Sequence, residues 1–260
     1  MRAISLAKFE EGIINEDAAI ACKEVIAISD GAGGGGVFAD RWSKYLVACL
    51  PNEPITDFTS FDKWIDSIWE SFYNECEVKA KAIGGMFLNK FYDEGAFATL
   101  VAVWKNGQWI SYGDSVAFCF DKKHGTLQHT FGKLVDFNNP PYLINCKDSL
   151  NEEGFMYGQF KLTDDSVIFA TSDALAHYIL MMYEVTHKDE YAKELQEAIN
   201  ARTKNSNFIK TALSLVDKDF ERNVIVKLLN CSTWPFFQNH IKGLKKKGVI
   251  GHDDYSLVFM

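Results

Sequence analysis

Apolar residues in this chain recur with two different periods, and the places where the period changes mark its elements. Phe61, Ile65, Ile68, Phe72 and Cys76 fall on one helical stripe, which predicts a long helix over Phe58–Ile83 buried along that face. Ala39, Trp42, Tyr45, Leu46 and Cys49 predict a shorter helix before it, broken by Pro51 and Pro54. The same spacing predicts helices over Leu175–Tyr183, Asp189–Arg202, Asn205–Leu215 and Trp234–Lys247. Strands are predicted at residues 2–7, as a sheet edge, and at Ala18–Cys22 and Glu24–Ser29, paired through a turn near Lys23. More follow at Ala96–Trp104, Trp109–Tyr112, Val116–Phe120, Leu127–Thr130, Phe155–Leu162, Val167–Thr171 and Tyr255–Phe259. Asn106-Gly107 and Thr163-Asp164-Asp165 read as hairpin turns. Residues 131–153, rich in Asn, Pro and Asp, read as a surface excursion of the kind that overhangs a cleft and selects substrates.

Hairpins with helices between them make an α+β order, not a βαβ alternation. No linker or long repeat divides the chain, so residues 1–260 read as a single domain. A net charge of −8 argues against a nucleic-acid partner. Six cysteines without a CxxC pair fit reduced core thiols and a cytoplasmic setting. The six histidines show no HxH or HExxH spacing, which disfavours zinc. Met1–Ala7 does not open a signal peptide. No apolar run approaches the ~18 residues of a membrane span.

The chemistry is foreshadowed by an echo. Val25-Ile26-Ala27-Ile28-Ser29-Asp30 and Val167-Ile168-Phe169-Ala170-Thr171-Ser172-Asp173 each run apolar and stop on Ser-Asp. Two buried strands ending this way deliver two carboxylates to sheet edges, where their repulsion calls for a hard cation between them. Asn15-Glu16-Asp17 and Asp253-Asp254 add further oxygens beside predicted strands. Glycine after Asp30 lets the backbone turn sharply and bring its carbonyl near an ion. Gly31-Ala32-Gly33-Gly34-Gly35-Gly36 also satisfies GxGxxG, but Asp30 would oppose a pyrophosphate there. No Gly-Lys-Ser/Thr follows, which rules out a P-loop.

In order, Asn15-Glu16-Asp17-Ala18, Asp30-Gly31-Ala32-Gly33-Gly34, Gly95–Thr99, Gly113-Asp114-Ser115, Ser172-Asp173-Ala174 and Asp253-Asp254-Tyr255-Ser256 resemble the metal-dependent protein phosphatases of the 2C type. The resemblance spans nearly the whole chain. It implies a four-layer α-β-β-α sandwich, two antiparallel sheets with helix pairs on the outer faces. It further implies an enzyme that uses two Mg²⁺ or Mn²⁺ ions to hydrolyse phosphoserine or phosphothreonine by a metal-activated water, on phosphoproteins written by a cognate Ser/Thr kinase. By that likeness Asp30, Asp173 and Asp253 are catalytic. Asp30 would bridge both ions, Glu16 and the Gly31 carbonyl would complete one site, and Asp173 and Asp253 the other. Asp114 would help to hold a third, weaker ion, and Asp17 would support the ligands from behind.

The chain departs from the family pattern in three places. Gly12 stands where the family often has a phosphate-gripping arginine, and Ala32 where some members have a histidine. Ser172-Asp173-Ala174 replaces Ser-Asp-Gly. Lys8 and Arg41 are the candidates to grip phosphate, although lysine lacks arginine's bidentate fork. These gaps motivate an alternative, a pseudophosphatase that keeps the metals and serves as a phosphoprotein reader or scaffold. Lys245-Lys246-Lys247 reads as a solvated helix end, and His252 as a loop histidine beside Asp253.

Overall fold

The computed structural model describes residues 1–34 and 36–260; Gly35 of the glycine run lies outside the described residues. In chain order the strands are β1 (Arg2–Leu6), β2 (Ala18–Ala21), β3 (Val25–Ser29), β4 (Phe97–Ala98), β5 (Leu100–Trp104), β6 (Gln108–Tyr112), β7 (Val116–Asp121), β8 (Thr126–His129), β9 (Ile144–Asn145), β10 (Phe155–Gln159), β11 (Ser166–Thr171) and β12 (Tyr255–Phe259). The helices are α1 (Ala39–Ala48), α2 (Phe58–Ile83), α3 (Gly85–Glu94), α4 (Asp173–Thr186), α5 (Ala192–Asn200), α6 (Lys204–Leu213), α7 (Val226–Asn230) and α8 (Trp234–Lys247). One sheet has the order β1-β12-β11-β7-β8, the other β10-β6-β5-β3-β2, and β4 and β9 form a separate pair. Every pairing between these strands is antiparallel, which leaves no place for a dinucleotide-binding βαβ unit.

The strands read as continuous apolar runs because both faces of each sheet are covered. Successive side chains of a strand point to opposite faces. On β3, Ile26 and Ile28 enter the layer between the sheets while Val25 and Ala27 face the outer helices. On β7, Ala117 and Cys119 point inward and Phe118 and Phe120 outward. Large residues of one sheet (Ile26, Ile28, Val101, Val103) meet small ones of the other (Ala117, Cys119, Ala170), so the sheets approach closely. Trp42, Phe61, Phe72 and Phe91 seal α1, α2 and α3 onto one outer face. Leu175, Ile209, Leu228 and Ile241 seal α4, α6, α7 and α8 onto the other. The result is the expected α-β-β-α sandwich, with three helices on one side and five on the other among the described residues, in place of simple pairs.

Three local expectations are corrected. Thr163-Asp164-Asp165 is not a hairpin: β10 pairs with β6, whereas β11 pairs with β7 and β12 in the other sheet. The segment between them crosses from sheet to sheet, anchored by Phe160, which is buried between the two. The predicted strand Ala96–Trp104 is interrupted at Thr99. Residues 131–153 are only partly an excursion, since Leu134, Ile144 and Cys146 are buried and β9 pairs with β4. Helices α3 and α7 had no forecast. No helix among the described residues is long and apolar enough to cross a membrane.

One buried charge lies away from the acidic strand ends. Glu184 of α4 is buried, with no partner for Oε2, and burial followed by Glu194 pushes its carboxyl up to about 7. A raised acid favours folding while protonated and costs stability as pH climbs through its folded value. Glu184→Gln should therefore stabilise the protein at pH 8.5, on the order of 1–3 kcal/mol, and change little at pH 5. Urea melts at the two pH values would show this; equal gains at both would mean the carboxyl is not the cause.

Candidate metal centre

The strand ends named by the Ser-Asp echo meet at one edge of the sandwich. Asp30 follows β3, and its backbone is clamped by the interruption at Thr99. Thr99 N–H donates to the Asp30 carbonyl (2.8 Å), and Asp30 N–H donates to Thr99 Oγ1 (3.2 Å). Ser29 Oγ donates to the Thr99 carbonyl (2.6 Å), and Thr99 Oγ1 shares a hydrogen bond with Ser115 Oγ (2.8 Å), next to Asp114. The break that spoils a continuous strand is thus the device that fixes Asp30.

Gly31 is held as tightly. Its N–H donates to the Glu16 carbonyl (3.2 Å), and a Cβ there would stand 2.7 Å from the carbonyl oxygens of both Ala39 and Glu16. Both obstacles are backbone, so no side chain fits. A Cβ on Gly33 would collide with the Glu16 carboxylate, so the glycine loop is shaped around that acid. Asp254 bolts the neighbouring segments together, its carboxylate accepting from Lys8 N–H and Glu16 N–H at 2.7 Å each. Asp253 Oδ1 accepts from Asp254 N–H (3.0 Å). Asp173 opens α4 and accepts from the N–H of Ala174, where the helix dipole favours negative charge.

These carboxylates lie within one another's field. Burial, followed by Asp17, Asp173, Asp114 and Asp253, raises Asp30 well above the usual carboxylate range. Burial, then Asp114, Asp253 and Asp17, does the same to Asp173. Asp114 is pushed up to about 6 by burial and Asp253. Glu16 is raised chiefly by burial, against the pull of Lys8. Asp17 is only 3% exposed and neither of its oxygens has a hydrogen-bond partner. Burial lifts it to about 7; the Ser172 and Ser256 hydroxyls adjoin it and ease that rise without reaching hydrogen-bond geometry. Ser172 Oγ instead accepts from Ser256 N–H (3.0 Å), and Ser256 Oγ bonds Ser5 Oγ (2.7 Å).

An orphaned buried carboxylate, oxygen-only donors and mutual repulsion are what a hard divalent cation relieves. The donor set fits Mg²⁺ or Mn²⁺ in chemistry. Among the described residues, however, no three His, Cys, Asp or Glu side chains are drawn into a closed ligand cage.

The two candidate phosphate grips differ in position. Lys8 lies within the field of Asp254, Asp253 and Glu16. Arg41 is committed elsewhere, to Glu75 of α2 at 2.7 Å. Gly12, where an arginine was missed, has φ of +77°, a conformation that an L side chain rarely takes. His252 engages Glu10 through Nε2 (2.7 Å) and Lys245 through Nδ1 (2.5 Å).

A pocket of about 190 Å³ opens beside the cluster, bounded by Asp173, Asp253, His177, Lys204, Phe137 and Phe208. Sequence reasoning missed His177 and Lys204. The signal for His177 was its spacing: four residues after Asp173, it lies one helical turn along the same face of α4. Its ring meets Phe137 and Phe208 edge-on, and Nε2 is buried without a partner. Lys204 opens α6, and only the fold brings it here.

Two antiparallel sheets between helical layers, with aspartates from separate strand ends facing one another at one edge, define a class: the fold of the metal-dependent Ser/Thr phosphatases of the 2C type. Solved structures agree. The chain is similar to the catalytic domain of the serine/threonine protein phosphatase PstP in complex with two manganese ions (15% identity, 99% of this chain and 95% of that one, TM-score 0.53). It is similar also to the serine/threonine phosphatase PstP/Ppp of Mycobacterium tuberculosis (14% identity, 99% and 96%, TM-score 0.52). A bacterial serine phosphatase gives 12% identity, 99% and 96% coverage and a TM-score of 0.50. No family model matches the chain, and no curated protein matches it.

Proposed function

We propose that residues 1–260 form one domain, a phosphatase that removes phosphate from phosphoserine or phosphothreonine in proteins with Mg²⁺ or Mn²⁺ as cofactor. The observation that carries this reading is the group of mutually repelling carboxylates at Asp17, Asp30, Asp114 and Asp173, with Asp253 beside them. It comes from five separate stretches and is costly to the fold unless a cation compensates it.

In this reading Asp30, Glu16 and the Gly31 carbonyl, together with Asp173 and Asp253, would hold the two ions. Asp114 would help to hold a third, weaker ion. Bound divalent ions would supply Lewis acidity toward phosphoryl oxygens and acidify water near neutral pH. The protein's own part is positioning. The Thr99 clamp fixes Asp30, the Asp254 bolt fixes the backbone of Glu16, and the start of α4 fixes Asp173. Asp17, behind Glu16, holds or releases a proton according to how much positive charge faces it. Lys204 supplies a cation on the open side of the cluster, where a phosphoryl group or an acidic substrate residue would lie. Phe137 and Phe208 give that pocket apolar walls for the substrate side chain.

The test is phosphate release from a phosphothreonine peptide with Mn²⁺ and with EDTA. Turnover should require the metal. Lys204→Met should raise KM about three- to tenfold and leave kcat within about twofold, as expected for lost ground-state binding. An unchanged KM would place the phosphate grip elsewhere, with Lys8 next to be tested. Metal binding without turnover on any phosphopeptide would favour the scaffold reading.

A further inference from the structure

A second cavity, of about 490 Å³, lies among α4, α7 and α8 and shares no residue with the metal centre or its adjoining pocket. Three helices each turn one stripe toward it. Asn239, His240, Gly243, Leu244 and Lys247 recur at three-and-four spacing on α8, Tyr178 and Met182 are one turn apart on α4, and Asn223 and Lys227 are one turn apart at α7. The floor is apolar, with Met182, Leu244 and Val249 buried. Of its polar groups, Lys227 Nζ donates to Asn223 Oδ1 (3.3 Å), an exposed contact that an anion would displace. Tyr178 is only 3% exposed, and burial alone raises its pKa. His240 Nε2 is buried without a partner. The charge facing them is positive: burial, then Lys227 and Lys247, holds His240 down to about 4, so its ring is neutral at physiological pH. The single acid on the rim, Asp217, is paired with Arg222 at 2.6 Å.

Two backbone features leave the space open. Gly243 sits inside α8, where glycine costs helix stability relative to alanine. A Cβ built there meets no atom within 4 Å, so nothing in the packing demands a glycine. Asn223 belongs to a π-helical turn, Glu221–Ile225, which runs into α7. Such turns are costly and occur often at functional sites. A cavity of this size with an apolar floor and a few convergent polar groups is what small-ligand sites look like.

We propose that this cavity is a binding site for a small organic carboxylate: an apolar body on the Met182–Leu244–Val249 floor, and an anionic head met by Lys227 and Lys247 with the Tyr178 hydroxyl and His240 Nε2 as hydrogen-bond partners. The site is independent of the phosphatase reading, since it draws on none of the residues named for that chemistry.

The test uses a matched pair, 2-naphthoate and its neutral amide, titrated calorimetrically into the full chain. One naphthoate should bind per chain, about fivefold or more tightly than the amide, as two part-exposed charge contacts would give. Gly243→Leu should fill the mouth and abolish binding without lowering the melting temperature, because the new side chain enters open space on a helix. Lys227→Met with Lys247→Met should bind both compounds alike. Absence of saturable naphthoate binding to the unaltered chain would overturn the proposal. So would equal affinity for the two compounds, or unchanged binding by Gly243→Leu.

Discussion

Asp30→Asn should lower Mn²⁺-supported phosphopeptide hydrolysis by roughly 10³-fold or more, while raising the melting temperature of the metal-free protein. The two effects have one origin. Asp30 lies within the field of Asp17, Asp173, Asp114 and Asp253, and its charge is disfavoured first by desolvation and then by each of them. Asparagine keeps the shape and removes the charge. It also leaves untouched the backbone hydrogen bonds to Thr99 that hold this position, so the fold should survive. Without cation the substitution relieves repulsion, and stability rises. With cation the protein has lost a charged carboxylate that would hold the proposed ions, and the stabilisation that ligand binding confers should shrink with it. Melts with EDTA and with Mn²⁺, beside the turnover assay, separate this from simple damage. A variant that melts lower without metal and responds normally to Mn²⁺ would show that Asp30 supports the fold and is not a ligand.

Legibility in the sequence followed physical range. Elements with a strong local pattern match the structure to the residue: α2 over Phe58–Ile83, α8 over Trp234–Lys247 and β12 over Tyr255–Phe259. Each is set by local periodicity alone. The approach of the acidic stretches was legible because each adjoins an end of an apolar run, Asp30 and Asp173 after one and Glu16-Asp17 and Asp253-Asp254 before one, and the end of a buried strand is where a sheet delivers a side chain. What failed depends on non-local partners. Helix α3, absent from the sequence reading, follows α2 directly because Gly84 and Gly85 both take positive φ at the junction. Thr163-Asp164-Asp165 has hairpin chemistry but joins different sheets, because Phe160 finds its burial between them. Thr99 gives no local hint that it breaks a strand; its hydrogen bonds run to Asp30 and Ser115. Lys204 and the carboxylate pocket on α8 were invisible for the same reason, being made by helices distant in sequence.

The carboxylate group also sets an expected pH dependence in the metal-free protein, and Asp17 isolates it. Its folded pKa is about 7 against an ordinary 3.8. Between those values the folded state holds a proton that the unfolded state has released. Stability from this group is therefore complete below about pH 4 and is lost as pH rises through 7. Asp114, at about 6, acts in the same direction over a narrower window. His177 and His240, both held near 4 by desolvation, act oppositely and gain stability as pH rises, so the whole-protein curve blends the two. The difference between the native chain and Asp17→Asn removes that blend. In EDTA the variant should gain on the native chain steadily from pH 5 to 8, ending ahead by an amount on the order of a few kcal/mol. Saturating Mn²⁺ should reverse the trend in the native chain, because cation binding requires the ligands deprotonated and strengthens over the same window. A variant-minus-native difference that is flat across pH in EDTA would mean that Asp17 is already ionised without metal, and the unpartnered carboxylate would need another explanation.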